Sequence, residues 1–282
     1  MSINSNRLFQ LFKYAVYVLL AFNVFVFWSE ETLANAIQYP HGVSLSEVIS
    51  AYSATIDTAA WVVLLLMFEL ETHVLEDHHY STAVTWSLHG VRFLCYVFIV
   101  YAFYGYIINL TFIFQAVPLT GVSDVCVLVS DGWSYAIDLD EYTQLTAANC
   151  GTFSNVSAYL RFEGITAVVD ATGLVDIRNL AWVDVINAAV WLLVVLVLEA
   201  DVWLQERNRF EGFALRTSQA IKSVLYTVLL FAAVYWGFNG DFVDFWDAFL
   251  WLVAFVFIEL NVFEWRQEVN ESTAHSEITA TS

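Results

Sequence analysis

The stretch Ala181–Trp203, AWVDVINAAVWLLVVLVLEADVW, is apolar over more than the about 20 residues that a helix needs to cross a hydrocarbon core, yet it carries Asn187, Glu199 and Asp201. A run of this length reads as a transmembrane helix, and acids inside it are costly unless something answers them. Five further stretches of similar character surround it, at Leu8–Trp28, Ser53–His73, Val91–Phe114, Ile221–Phe238 and Phe242–Phe263. Composition agrees. Of 282 residues, 59% are hydrophobic and 14% charged, with a mean hydropathy of +0.63, whereas soluble domains run near 45 to 50% apolar and about 25% charged. A soluble enzyme is thereby excluded. With 17% aromatics and only 2 Pro and 11 Gly, disordered and collagen-like classes fall away as well. The net charge of -19 repels phosphate backbones and excludes nucleic acid as a partner.

The expected fold is an all-α polytopic membrane protein with six transmembrane helices. Residues 1–114 hold the first three spans, 115–180 a segment outside the membrane, 181–266 the last three spans, and 267–282 a tail. Arg7, Lys13, Arg92, Arg207, Arg209, Arg216, Lys222 and Arg266 fall at one face, and Arg161 and Arg178 at the other. By the positive-inside rule both termini are cytoplasmic, as in a bacterial inner-membrane protein. The first span also has the charge pattern of a signal peptide, but its apolar run is long for one and it is expected to stay.

Between the third and fourth spans, residues Val125–Ser130 and Ala158–Phe162 alternate apolar with polar, and glycines punctuate at 121, 132, 151, 164 and 173. This predicts a small β-rich external cap. Cys126 and Cys150 both lie in it, where an oxidising compartment favours a disulfide, while Cys95 sits inside a span as apolar filler.

The even-numbered spans share one pattern. Asp57-x3-Trp61-x7-Glu69-x-Glu71 recurs as Asn187-x3-Trp191-x7-Glu199-x-Asp201 and as Asp247-x3-Trp251-x7-Glu259-x-Asn261. Each copy follows a span that begins near a base, Lys13, Arg92 or Lys222, so the unit is a two-helix hairpin used three times. At 100° per residue the polar positions and the Trp share one side of the helix. An inner set of spans two, four and six would bring Glu69, Glu199 and Glu259 together as a cation- or proton-binding site, flanked by Glu71, Asp201, Asn261, Asp57, Asn187 and Asp247. The blander alternative puts the glutamates at headgroup level, solvated, with Asp57 and Asp247 as acids at helix N-termini.

A second cluster faces the cytoplasm: Glu69, Glu71, His73, Glu76, Asp77, His78, His79 and His89. Imidazole and carboxylate suit a divalent metal ion, with His73, Glu76, Asp77, His78, His79 and His89 as ligands, although an acidic, His-rich loop is as readily a solvated one. No nucleophile elbow, phosphate loop, Cys-x-x-Cys or dinucleotide fingerprint is present, and no catalytic residue is assigned. The expected functions are binding or transport of a cation or proton, or a non-transporting assembly or sensory subunit packed against a partner or a second copy in a homo-oligomer or larger membrane complex. A metalloprotein using the His cluster ranks third.

Overall fold

The computed structural model describes residues 5–71, 82–154, 158–207, 212–239 and 241–257. It is mostly helical, and its helices are α1 (Ser5–Gln38), α2 (Val48–Ala51), α3 (Ser53–Glu69), α4 (Thr82–Ile113), α5 (Ala171–Glu206) and α6 (Phe213–Asn239), followed by a helix over residues 242–257, here α7. Four of them, α1, α4, α5 and α6, are long and apolar enough to cross a membrane. In their described parts α3, with 17 residues, and α7 are shorter. Bulky apolar side chains such as Phe22 and Phe25 on α1 and Phe93, Phe98 and Val100 on α4 are exposed, the arrangement expected where lipid, not water, is the solvent.

The helices outrun the hydropathy windows. α1 passes Trp28 and continues to Gln38, carrying Glu31 and Asn35, both buried. A hydropathy scan stops at the first polar cluster, but a helix stops only where its backbone does, and here neighbouring elements answer the polar groups. Likewise α5 begins at Ala171, ten residues before the expected start, so the segment outside the helices ends at Asp170.

That segment forms one five-stranded sheet of β1 (Val117–Leu119), β2 (Ser134–Ala136), β3 (Tyr142–Gln144), β4 (Tyr159–Arg161) and β5 (Ala167–Asp170), in the order β1-β4-β5-β2-β3. β2 and β5 pair in parallel and the other pairs are antiparallel. β5 is buried on both faces, which is why Ala167-Val168-Val169 reads as a continuous apolar run. Its Ala167 and Val169 face a core with Ile113, Phe162, Leu174 and Ile177, at the ends of α4 and α5. Val168 faces the opposite core with Val125, Leu128, Tyr135, Leu145 and Tyr159. The Cys126–Cys150 disulfide is present on this second side, with a Cα–Cα distance of 5.1 Å, and Cys95 is free and buried.

Strand character is found at Tyr159–Arg161, but Val125–Asp131 is a 3-10 helix, not a strand. Asp124 accepts a hydrogen bond from the Cys126 N–H at its start, and Gly132, at φ 70°, ends it. The buried positions, Val125 and Leu128, stand three apart, the period of that helix. Gly121 and Gly164 also turn with positive φ, whereas Gly173 lies inside α5.

By contact density the chain divides into two units, Met1–Leu20 with Leu229–Ser282, and Ala21–Val228. In the first, Phe257 packs edge-on against Phe9 and Phe12, and Phe245 lies over Gly237 where a Cβ would come within 3.2 Å of its ring. Gly237 is thus a packing position within α6. The second unit holds the cap and the groups described next.

Candidate functional site

At the end of the helices away from the cap, four helices of the larger unit carry one row of ionisable groups. Arg92 on α4 forms an ion pair with Glu71, just past α3. One turn further along α4, Tyr96 donates to Glu199 on α5 at 2.7 Å. Two residues beyond, Asp201 is buried, accepts from Ser218 of α6 at 2.7 Å and pairs with Lys222 of α6 at 3.2 Å. Burial explains the pairing: a carboxylate removed from water needs an opposite charge and hydrogen bonds for its remaining lone pairs.

The first two acidic copies therefore differ. Glu69 is buried while Glu199 is exposed and held by Tyr96. Glu259 and Asn261 lie outside the described residues. Glu71 and Asp201, the second acids of their pairs, each form an ion pair.

In the middle of the unit, Asp57 is not a helix-terminal acid. It accepts from the Trp61 indole N–H at 3.0 Å on its own helix, and the Tyr106 hydroxyl of α4 lies 3.4 Å from its other oxygen. Trp61 is buried and meets Trp191 of α5 with ring centroids 5.8 Å apart, so equivalent positions of the first two copies touch. Asn187, which stands where Asp57 does, has a buried Oδ1 that accepts no hydrogen bond among the described residues. In the smaller unit Trp251 is buried and Asp247 half-buried.

At the cap end, the chain before α3 is a broken helix. α2 ends at Ala51, and Tyr52, at φ -134° and ψ 37°, interrupts the path into α3. The break frees backbone groups, and side chains from two neighbouring helices satisfy them. Asn35 donates to the Ala51 carbonyl at 2.7 Å, and Asn109 donates to the Ser50 carbonyl at 3.1 Å and to Ser53 Oγ at 3.2 Å. Glu31 closes the other side: its Oε1 accepts from the Ala54 N–H at 2.8 Å, and its Oε2 from the Thr55 N–H at 3.1 Å and from the Thr55 hydroxyl. Gly105 permits the approach, since a Cβ there would lie 2.6 Å from the Ile49 carbonyl oxygen.

The cap is tied to the helices by Gln38, which donates to the Leu139 carbonyl at 2.8 Å and to Tyr142 Oη at 3.0 Å. Asp170 caps α5 directly, accepting from the Gly173 N–H at 2.7 Å and from Tyr135 Oη at 3.0 Å. Burial pushes the Tyr135 phenol up to about 12, and burial likewise raises Tyr142. Asp124 is held below the usual carboxylate range by the Ser154 hydroxyl and the Cys126 N–H.

Of the metal-ligand candidates, His73, Glu76, Asp77, His78 and His79 lie outside the described residues. His89 is exposed on α4, its Nδ1 2.8 Å from the Thr85 carbonyl. Among the described residues no group of three or more His, Cys, Asp or Glu side chains is arranged around a common centre.

Glu31, Asn35, Asn109 and the tyrosines stand outside the acidic pattern and the His cluster. For the tyrosines a signal exists. Lys13-x3-Tyr17, Arg92-x3-Tyr96 and Lys222-x3-Tyr226 repeat one spacing on α1, α4 and α6, and Arg92 and Tyr96 meet Glu71 and Glu199. Comparison with family models, with curated proteins and with solved structures yields no match, so these contacts alone must carry any functional reading.

Proposed function

We propose that this chain is a six-span integral membrane protein of three two-helix hairpins that binds and exchanges a proton or cation at carboxylates held between its helices. One observation carries the reading: Glu71, Arg92, Tyr96, Glu199, Asp201, Ser218 and Lys222 form a row across four successive helices, where ionisable groups are expensive and are kept for a use. The partners favour a proton over a metal cation. Hydroxyl, ammonium and guanidinium donors occupy the carboxylate oxygens, whereas a hard cation would need several oxygen ligands turned to one point. The Trp61 and Trp191 contact and the shared base-x3-Tyr spacing support the hairpin repeat. The excess of bases at the ends away from the cap supports cytoplasmic termini in an inner membrane.

The test is flux in reconstituted vesicles. Glu199→Gln and Asp201→Asn should abolish proton- or cation-dependent flux while the purified variants remain folded. Unchanged flux in both, or no flux in the parent, would leave the row as a structural clamp.

A second reading has its own support. β5 runs into α5 without a linker and Gln38 fastens α1 to the cap, so the cap and the helices are mechanically joined, as a sensory or assembly subunit in a homo-oligomer or larger complex would require. Cap-directed crosslinking in native membranes separates the two readings. A divalent ion on His73, Glu76, Asp77, His78, His79 and His89 is tested by elemental analysis before and after His73, His78 and His79 are changed to Ala.

A further inference from the structure

Glu31 lies outside the row just described and outside the repeat, at the opposite end of the same unit. Its carboxylate is buried, at 7% exposure, and spans α1 to the start of α3 by three hydrogen bonds, from the Ala54 and Thr55 N–H groups and the Thr55 hydroxyl. Every one of these donors is neutral. The ionisable groups along the chain at this end are Glu30 on α1, Tyr39, His41 and Glu47 between α1 and α2, Tyr52 at the break, Asp57 on α3, Tyr106 on α4 and Asp140 in the cap, of which the exposed His41 alone can become a cation. Of these, the Asp140 carboxylate acts on it through space with the same sign of charge. The helix it closes is the second half of a broken one, hinged at Tyr52.

We propose that Glu31 is a proton-binding site at the cap end whose occupancy unlatches the start of α3. Ionised, the carboxylate offers both oxygens to the N-terminal N–H groups of α3 and holds that helix to α1. A proton taken from water turns one of those oxygens into an O–H donor, and an N–H that pointed at it loses its acceptor. The ligand is a proton and not a metal ion, because both oxygens already face the positive ends of N–H dipoles. Motion is confined to the hinge, since Asn35 and Asn109 keep α2 fixed by carbonyls that do not titrate. The latch stands whether or not the distal row moves ions.

The test is pH-difference infrared spectroscopy on the full chain in nanodiscs, with amide exchange read alongside. On acidification the parent should develop the carbonyl stretch of a protonated carboxylic acid, and Ala54 and Thr55 should exchange faster relative to their intrinsic rates. Glu31→Gln should lack that band and exchange at the faster, acid-like rate at every pH. Thr55→Val, which leaves the carboxyl in place, should keep the band but move its frequency, because one hydrogen bond to it is gone. A parent spectrum with no band that Glu31→Gln removes overturns the proposal, and so does a band that Thr55→Val leaves unmoved. Vesicle flux is measured separately, so loss of flux with the band intact counts against the distal row and not against this latch.

Discussion

The two ends of the larger unit answer the same chemical problem in different ways. Away from the cap, buried or half-buried carboxylates meet cations: Asp201 meets Lys222, and Glu71 meets Arg92. Beside the cap, buried or half-buried carboxylates meet helix N-termini: Glu31 closes α3 and Asp170 closes α5. A helix N-terminus carries roughly half a positive charge and several unpaired N–H groups, so it can stand in for a base. What it cannot do is follow the carboxylate through a change of charge. An ion pair penalises protonation of the acid by the whole attraction of the partner, while a neutral cap gives up only a hydrogen bond or two. Protonation is therefore cheaper at the end next to the cap, and in the distal row at Glu199, which the neutral Tyr96 hydroxyl holds, than at the ion-paired Asp201 and Glu71.

The largest expected effect tests the cationic end. Lys222→Met leaves Asp201, with a side chain only 7% exposed, without its cation. A loss of about 3 to 5 kcal/mol of stability is expected from removing one partner of a buried pair. Adding Asp201→Leu should restore most of it, because two apolar side chains replace both charges. Melting curves of the single and double variants in one detergent decide this. A single variant that melts with the parent would show that the ammonium is dispensable, and the contrast between the two ends would collapse.

At the other end, Glu31→Ala strands three donors at the start of α3 and should cost about 2 kcal/mol, in the range of a lost N-cap or of unsatisfied buried donors. Glu31→Gln should cost less, since one oxygen still accepts. If the glutamine variant is as damaged as the alanine variant, charge and not hydrogen bonding holds the latch, and the attraction of the helix N-terminus for the carboxylate is the larger contribution. Gly105→Ala tests the seat itself. A Cβ 2.6 Å from the Ile49 carbonyl oxygen must push α4 off α2, an overpacking cost of about 1 to 3 kcal/mol. It should also loosen Asn109 from the Ser50 carbonyl, which accelerated exchange around Tyr52 would report.

How much of this the sequence shows depends on the range of the interaction. The β-rich cap and its disulfide follow from alternation, glycine spacing and two cysteines in one segment, all within reach of local reading. The Asp201 side is half legible: an acid in an apolar run demands a partner, and the sequence offers Lys222 as a base near the start of the next apolar stretch, but nothing in it pairs the two. Glu31 is not legible at all. Its partners stand 23 and 24 positions away and are two backbone N–H groups, which every residue but proline has, and one threonine hydroxyl, so no charged side-chain pattern marks them. The broken helix at Tyr52 is hidden for the same reason. Neither glycine nor proline stands at the break, and it is stabilised from outside by Asn35 and Asn109. Val125–Asp131 misleads in the opposite direction, because alternation over a few residues also fits a 3-10 turn whose buried positions are three apart.

The smallest effect concerns the second N-terminal carboxylate and reads as a slope against pH more than as a drop in stability. Tyr135 donates to Asp170, and burial holds its phenol protonated up to about 12, against 10 for a free tyrosine. Below pH 10 the phenol is neutral in both the folded and the unfolded chain, so its contribution to the cap is fully present. Between 10 and about 12 the unfolded chain loses the proton and the folded one keeps it; the unfolded state then binds fewer protons, and stability falls as pH rises across that window. Tyr135→Phe removes the group that titrates. It should cost about 1 kcal/mol at neutral pH, the worth of one hydrogen bond, and flatten the alkaline limb of the cap's unfolding curve. Tyr142, also raised by burial, leaves a residual slope that Tyr142→Phe should remove in turn. Asp170 keeps the Gly173 N–H in either variant, so α5 should stay capped and its first turn protected from exchange. An unchanged alkaline limb in Tyr135→Phe would mean that the phenol reaches water before the cap opens, and Asp170 would then be held by its helix N-terminus alone, as Glu31 is held by Ala54 and Thr55.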